Sequence, residues 1–392
     1  MSSKEVFDSD KQYVMNTYAR QPLVLVRGEG IWVWDDQGKQ YLDFVSGIAV
    51  NGLGHCHPRV VEAIREQAGV LMHTSNLYCT QLQPKLAKML VESSAFDKVF
   101  FCNSGAEANE AAIKIARKYG KQKSPDKVEI ITALLSFHGR TMGAITATGQ
   151  EKYQKWFAPL VPGFKYVPYN DIEALEEAIN ENTCAVILEP VQGESGVHPA
   201  TVEYLRFART ACDSDDALLI FDEIQTGLGR TGNLFAYEYY GVVPDIMTLA
   251  KTLGGGFPIG ACLTRGEATN ILQPGDHAST FGGNPLASAA AIAALSAIKK
   301  DGLVENAKVM GDYLQKELRK LPVEEVRGLG LMIGIQLNNP TAKAIGAACT
   351  ENGLLVNPIG DSIIRLLPPL IVTKQDIDQA VEILKNAIQA AG

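Results

Sequence analysis

Short apolar runs that stop abruptly on polar residues punctuate the first two thirds of the chain. Val99-Phe100-Phe101-Cys102 runs into Asn103, and Val128-Glu129-Ile130-Ile131 leads towards Ser136-Phe137. Cys184-Ala185-Val186-Ile187-Leu188 stops at Glu189, Leu218-Leu219-Ile220-Phe221 at Asp222 and Glu223, and Ile246-Met247-Thr248-Leu249-Ala250 at Lys251. Runs this short, bounded by polar stops, predict buried strands of a parallel sheet better than helices. If their carboxyl ends share one edge, acids, amides and an amine face one crevice, where open α/β sheets bind ligands.

The flanking pattern differs. Leu23-Val24-Leu25-Val26, residues 30–39 and Tyr41-Leu42-Asp43-Phe44 read as short strands, with Asp36-Gln37-Gly38 as the turn of an antiparallel hairpin. Pro58 is suited to the first turn of a helix through Ile64, and Ser104 with Glu107 has capping-box spacing at the head of another. From Leu286 onward, alanine-rich helical periodicity and the segment from Arg327 to Gly334 suggest a smaller domain. We therefore expect residues 1–48 to pack with that small domain, residues 49–284 to form the large domain, and residues 285–392 the small one.

Composition narrows the function. The balance of 36 Lys+Arg against 44 Asp+Glu leaves a net charge of −8, which argues against a nucleic-acid partner. Seven scattered cysteines without CxxC spacing suggest reduced thiols, and the acid-bearing start Met1-Ser2-Ser3-Lys4-Glu5 resembles no export or transit signal, so a cytoplasmic location is expected. Gly, Pro or a charge interrupts each apolar stretch short of bilayer length, so no membrane partner is expected.

The candidate chemistry begins with Asp222 and Lys251. Facing one crevice, they fit a structural ion pair, or an amine and a carboxylate able to hold the two ends of a pyridoxal phosphate ring. The glycine-bounded helix start at Ser104-Gly105-Ala106 suits a phosphate, though an ordinary capped helix has the same residues. Phe137 can stack on a heteroaromatic ring and Arg140 can clamp a carboxylate, or they are core and surface respectively. His55, Cys56 and His57 lack a further ligand cluster, so no metal is expected.

Two stretches carry a resemblance. Asp222-Glu223-Ile224-Gln225-Thr226-Gly227-Leu228-Gly229-Arg230-Thr231-Gly232, followed by Ala250-Lys251-Thr252-Leu253-Gly254-Gly255-Gly256-Phe257-Pro258, resembles the signature of the class III aminotransferases of pyridoxal-phosphate fold type I. Ser136-Phe137-His138-Gly139-Arg140-Thr141 matches the same family, and the likeness runs from about Tyr18 to Leu370. It implies an α/β fold: a large domain with a mostly parallel, doubly wound sheet and a smaller α+β domain.

The resemblance also implies roles. Lys251 would carry pyridoxal 5'-phosphate as a Schiff base and serve as the catalytic base, with Asp222 on the pyridinium N–H. Ser104, Gly105, Ala106 and Gln225 would line the cofactor site, Phe137 would stack on the ring, and Thr280 would reach the cofactor phosphate of a neighbouring subunit, making a homodimer with shared active sites. Arg140 would hold the substrate α-carboxylate, Arg365 a carboxylate of 2-oxoglutarate, and Glu194 would pair with Arg365 when a substrate arrives amine first. Ser279 and Tyr18 would complete the substrate site. Ser195 departs from the family's Gly or Ala.

The reaction so implied passes the δ-amino group of N2-acetyl-L-ornithine to 2-oxoglutarate, giving N-acetyl-L-glutamate 5-semialdehyde and glutamate, a step of arginine biosynthesis. Ile48 stands where family members acting on ornithine usually present tyrosine, and 4-aminobutyrate would leave Arg140 without an α-carboxylate. Succinylornithine and N-succinyl-diaminopimelate remain alternative donors. An aminomutase of the same fold is a different class, separated by its independence of 2-oxoglutarate.

Overall fold

The five apolar runs become strands of one seven-stranded sheet, joined by Phe164–Val167 and Gly260–Thr264, which the sequence pattern does not mark. The computed structural model describes residues 1–391. Its central sheet is built from β1 (Lys98–Cys102), β2 (Glu129–Ala133), β3 (Phe164–Val167), β4 (Thr183–Leu188), β5 (Leu218–Asp222), β6 (Ile246–Leu249) and β7 (Gly260–Thr264), in the order β1-β7-β6-β5-β4-β2-β3. β7 runs antiparallel to both of its neighbours, and the remaining pairs are parallel. Every residue of β4, β5, β6 and β7 is buried, because helices cover both faces and leave no polar side to alternate with.

Residues 1–48 do not stand alone. Leu25–Glu29, Trp32–Asp35 and Gln40–Asp43 pair antiparallel, with the hairpin turn at Asp36-Gln37-Gly38. Leu354–Leu355 then adds a fourth, parallel strand beside Gln40–Asp43, with Leu354 opposite Leu42. The chain next makes a turn that no periodicity announces: Ser46, Gly47, Ile48 and Ala49 all have positive φ, between 50° and 62°. A β-branched residue in that region is strained, and the neighbours over-determine it. Asp43 Oδ1 accepts the Val45 and Ser46 N–H groups, and Thr252 Oγ1 donates to the Ala49 carbonyl at 2.8 Å.

The C-terminal sheet, in the order Glu325–Leu329, Met332–Gln336, Ile363–Leu366, Asn357–Ile359, is antiparallel throughout. Helices Leu303–Leu318 and Ala342–Glu351 pack on it, and Lys374–Ala391 packs on both helices. The expected boundary at 284/285 falls on the N-cap of helix Pro285–Lys300. That helix lies against Pro58–Ala68, Leu82–Val91 and the turn Lys251–Gly254 as well as against Leu303–Leu318. Arg230, 1 % exposed, bridges the two parts: its Nη1 donates to the carbonyls of Leu331 and Pro368.

Phe221 is wholly buried in β5, beside Asp222. Phe221→Ala should cost about 3–5 kcal/mol, the range for a buried Phe truncated to a cavity. A urea-unfolding midpoint shifted by the equivalent of under about 1 kcal/mol would show that the sheet core relaxes around the loss.

Candidate active site

The parallel strands deliver their terminal residues to one edge. Asn103-Ser104 follows β1, Phe137 and Arg140 follow β2, Glu189 follows β4, Asp222 ends β5 and Lys251 follows β6. These residues line one cavity of about 440 Å³ together with Gly105, Ala106, His138, Ile224, Gln225 and, from the N-terminal segment, Val50. Strand alternation sends the two acids at the end of β5 to opposite sides. Asp222 faces the cavity, whereas Glu223 turns away to accept the N–H groups of Ala236 and Tyr237, where burial pushes its carboxyl up to about 8.

Asp222 is 4 % exposed and fully partnered. Its Oδ1 accepts the Ile224 N–H at 3.0 Å, and its Oδ2 accepts Asn109 Nδ2 at 2.8 Å and lies 2.8 Å from His138 Nδ1. Asn109 is fixed in turn, because its other Nδ2 hydrogen goes to the His138 carbonyl and its Oδ1 accepts from Thr248 Oγ1. The carboxylate is thereby held in one orientation, as an edge-on partner for a ring N–H requires.

Lys251 sits at positive φ, 44°, in the turn that leaves β6. Burial lowers its proton affinity below that of an ordinary lysine; Glu194, Asp222 and Glu189 work against this and Arg365 with it. Glu189 is 6 % exposed, accepts the Phe137 N–H at 3.0 Å, and is pushed well above the usual carboxylate range by burial and by the charge of Asp222. Glycines make room around these groups. A Cβ on Gly193 would fall 2.3 Å from Gln225 Oε1, and one on Gly260 would fall 2.4 Å from the Ser104 carbonyl.

The head of helix Gly105–Lys123 carries only half of the expected capping box. Ser104 Oγ accepts the Glu107 N–H at 3.2 Å, but Glu107 reaches past Ser104 to the Asn103 N–H. Phe137 is half-buried and meets Tyr153 edge-on, while the exposed Arg140 guanidinium lies 4.0 Å from the Tyr153 ring centroid. Glu194 and Arg365 stand behind the cavity wall, joined at 2.7 Å, and Gln225 Nε2 donates to Glu194 from the cavity side. Burial raises the proton affinity of Glu194, but Arg365, Lys251 and the Gln225 hydrogen bond together outweigh it and hold its carboxyl below the usual range. Ser195 Oγ donates to Gln192 Oε1 at 3.4 Å.

Four expected residues are not gathered there. Tyr18 is 68 % exposed in the N-terminal segment and lines no part of this cavity. Ile48 lies in the left-handed turn, 40 % exposed, and Val50 takes the place expected of it in the cavity wall. Ser279 and Thr280 line a neighbouring hollow that shares Asn103 with the cavity, and Asn103 Nδ2 donates to Ser279 Oγ at 3.2 Å. His55 pairs with Asp43 at 2.7 Å. Conversely, Asn109 and Asn357 carry no expectation from the sequence, and Glu189 is expected only as the polar stop of its strand. Asn109 left a signal, as the polar member of the apolar stripe Ala108, Ala112, Ile113 and Ala116; Asn357 left none.

A cavity with an amine and a fixed carboxylate at its floor, an aromatic face and a helix N-terminus defines a class of protein before any comparison. The chain matches the class-III aminotransferase family over residues 13–388 and belongs to it. It is 56 % identical over 385 residues to the acetylornithine aminotransferase of Caldanaerobacter subterraneus subsp. tengcongensis, covering 97 % of this chain and 98 % of the relative. Among solved structures, the acetylornithine aminotransferase of Elizabethkingia anophelis superposes with a TM-score of 0.88 at 37 % identity, covering 99 % of both chains. The ornithine aminotransferase of Toxoplasma gondii ME49 superposes with a TM-score of 0.95 at 36 % identity, covering 100 % of this chain and 96 % of that one.

The residues present fit pyridoxal phosphate, because one cavity holds the amine, the edge-on carboxylate and the anion-binding helix start. Since only the uncharged amine is nucleophilic, a lowered proton affinity moves its reactivity to lower pH. Covalent capture of pyridoxal phosphate by the cofactor-free protein, corrected with Lys251→Ala, should reach half its plateau rate below the pH at which an ordinary lysine ionises. A midpoint at or above that value would contradict the burial argument.

Proposed function

We propose that this chain is a pyridoxal-phosphate-dependent aminotransferase that moves the δ-amino group of N2-acetyl-L-ornithine to 2-oxoglutarate, in the cytoplasm and as a step of arginine biosynthesis. The observation that carries the reading is the convergence of Lys251, Asp222, Phe137 and Arg140 on one cavity with the Glu194–Arg365 pair at its back. The acetylornithine name of the 56 % identical relative supports the choice of amine donor. Among the described residues no helix is long and apolar enough to cross a membrane.

When bound, the cofactor supplies a carbonyl carbon that accepts the amino group and a ring that takes up electron density. The chain's residues do the rest. Lys251 Nζ would hold the cofactor and, as a free amine, would take the proton from the amine-bearing carbon, a task its lowered proton affinity suits. Asp222, locked by Asn109 and His138, holds the ring N–H, so the ring stays protonated as negative charge develops. Phe137 would cover the ring face, Gln225 would line the cofactor site, and Ser104, Gly105 and Ala106 would offer a helix start to the phosphate, since all line the cavity.

Arg140, at the cavity mouth, takes the α-carboxylate of the amine donor. Glu194 neutralises Arg365 while that donor is bound, and releases it for a carboxylate of 2-oxoglutarate. Ser279 and Thr280, outside this cavity, complete the site of a second copy in a homodimer, with Thr280 at that copy's phosphate and Ser279 and Tyr18 towards its substrate. The exposed apolar residues Leu77, Tyr78 and Phe281 beside them support such a contact. The three-part division at 48/49 and 284/285 belongs to the same proposal, with the small domain carrying Arg365.

An amine-donor panel with 2-oxoglutarate tests the reading. Acetylornithine should give the highest kcat/KM among acetylornithine, succinylornithine, N-succinyl-diaminopimelate, ornithine and 4-aminobutyrate. Preference for ornithine would move the assignment towards the Toxoplasma neighbour's activity, and turnover without 2-oxoglutarate would indicate an aminomutase. Arg140→Ala should raise the KM for acetylornithine by about 10- to 100-fold, the worth of a charge-assisted carboxylate contact, with a smaller effect on kcat. An unchanged KM would remove Arg140 from the substrate site.

A further inference from the structure

Glu194 accounts for only part of the Arg365 guanidinium. Nη1 donates to Glu194 Oε1 at 2.7 Å and to the Gly193 carbonyl at 2.9 Å, whereas Nε and Nη2 both donate to Asn357 Oδ1, at 3.1 and 2.6 Å. Arg365 is 1 % exposed, so these oxygens stand in for water. Of its five N–H donors, two are thus held by Asn357, and the two on Nη1 are shared among Gly193, Glu194 and Gln225 Oε1, the last at 3.3 Å.

The two main partners are built differently. Asn357 lies directly opposite Arg365 across an antiparallel strand pair, so sheet register holds their side chains together. Glu194 comes from the connection between two short strands, Val191–Gln192 and His198–Pro199, and its side chain keeps 22 % of its exposure. One partner is fixed and uncharged, and the other is charged and reaches water.

We propose that Asn357 is a positioning residue that holds the Arg365 guanidinium in one place through both halves of the reaction, so that departure of Glu194 exposes a pre-set carboxylate receptor. This rests on the assignment of Arg365 to the oxo-acid. With Glu194 withdrawn, one Nη1 hydrogen joins the free Nη2 hydrogen as the donor pair for a carboxylate of the dicarboxylate acceptor. Without Asn357 the guanidinium of a flexible side chain has to be ordered by the substrate itself, and that cost falls on binding of the oxo-acid alone. A neutral amide is required at this position, because a carboxylate held there by sheet register would cancel the positive charge permanently.

The test separates the half-reactions of the holoenzyme by stopped flow and measures, by calorimetry, the Kd of glutarate, an unreactive dicarboxylate. Asn357→Ala should weaken glutarate and raise the 2-oxoglutarate KM by about 10-fold or more, the worth of losing hydrogen bonds to a charged group, and leave the amine half-reaction within about 3-fold. Asn357→Asp keeps the acceptor oxygen and adds charge; it should weaken glutarate at least as much and likewise spare the amine half-reaction. Equal losses in both half-reactions, or an unchanged glutarate Kd in both variants, would overturn the role of Asn357. Arg365→Lys is the control: if glutarate binding survives it, the assignment of Arg365 fails, whereas its loss there with none in the Asn357 variants sinks only the present inference.

Discussion

A carboxylate taken out of water must find donors for its lone pairs, and the site depends on how Asp222 meets that demand. Its donors come from three directions: the backbone just past β5, the helix that follows β1, and the loop that follows β2. Each element has to stop at the same height for the carboxylate to be satisfied. The parallel sheet achieves this, because parallel strands place their carboxyl ends on one edge and register fixes where each ends. The same alignment places Lys251 and Glu189 in that crevice, so the requirement of one buried acid organises the others.

Charge is managed at the site by pairing each fixed group with a movable or neutral one. Glu189, crowded by Asp222 and buried, has its affinity for a proton raised. Lys251, buried among groups of both signs, has its own lowered. Arg365 has one carboxylate partner on a connection and one amide partner on a strand. An enzyme that must seat an amine and then a dicarboxylate in one pocket needs a cation that can be switched off without being moved, and this arrangement of partners suits that need.

Much of the framework was legible in the chain because it is written in local pattern. The apolar runs from Val99 to Ala250, the turn at Asp36-Gln37-Gly38 and the Pro58 helix start each reflect a preference that tertiary packing does not oppose. Asp222 and Lys251 stood out because polar residues closing buried strands have no ordinary packing role. Other features depend on contacts between distant residues. Asn357 gained its meaning only from cross-strand register, Asn109 only from the helix face it occupies, and the left-handed turn at Ser46–Ala49 runs against the propensity of Ile48. Ser279, Thr280 and Tyr18 lie outside the cavity of their own chain, where no motif could have shown their position.

The four-stranded N-terminal sheet bears on how the molecule is made. Its last strand, Leu354–Leu355, is supplied from far along the chain, so the hairpin keeps one edge unpaired until that non-local contact forms. The left-handed turn that follows this hairpin is tied through the Ala49 carbonyl to Thr252, next to Lys251. Folding of the N-terminal segment is thereby coupled to two distant stretches of the chain, one of them beside Lys251.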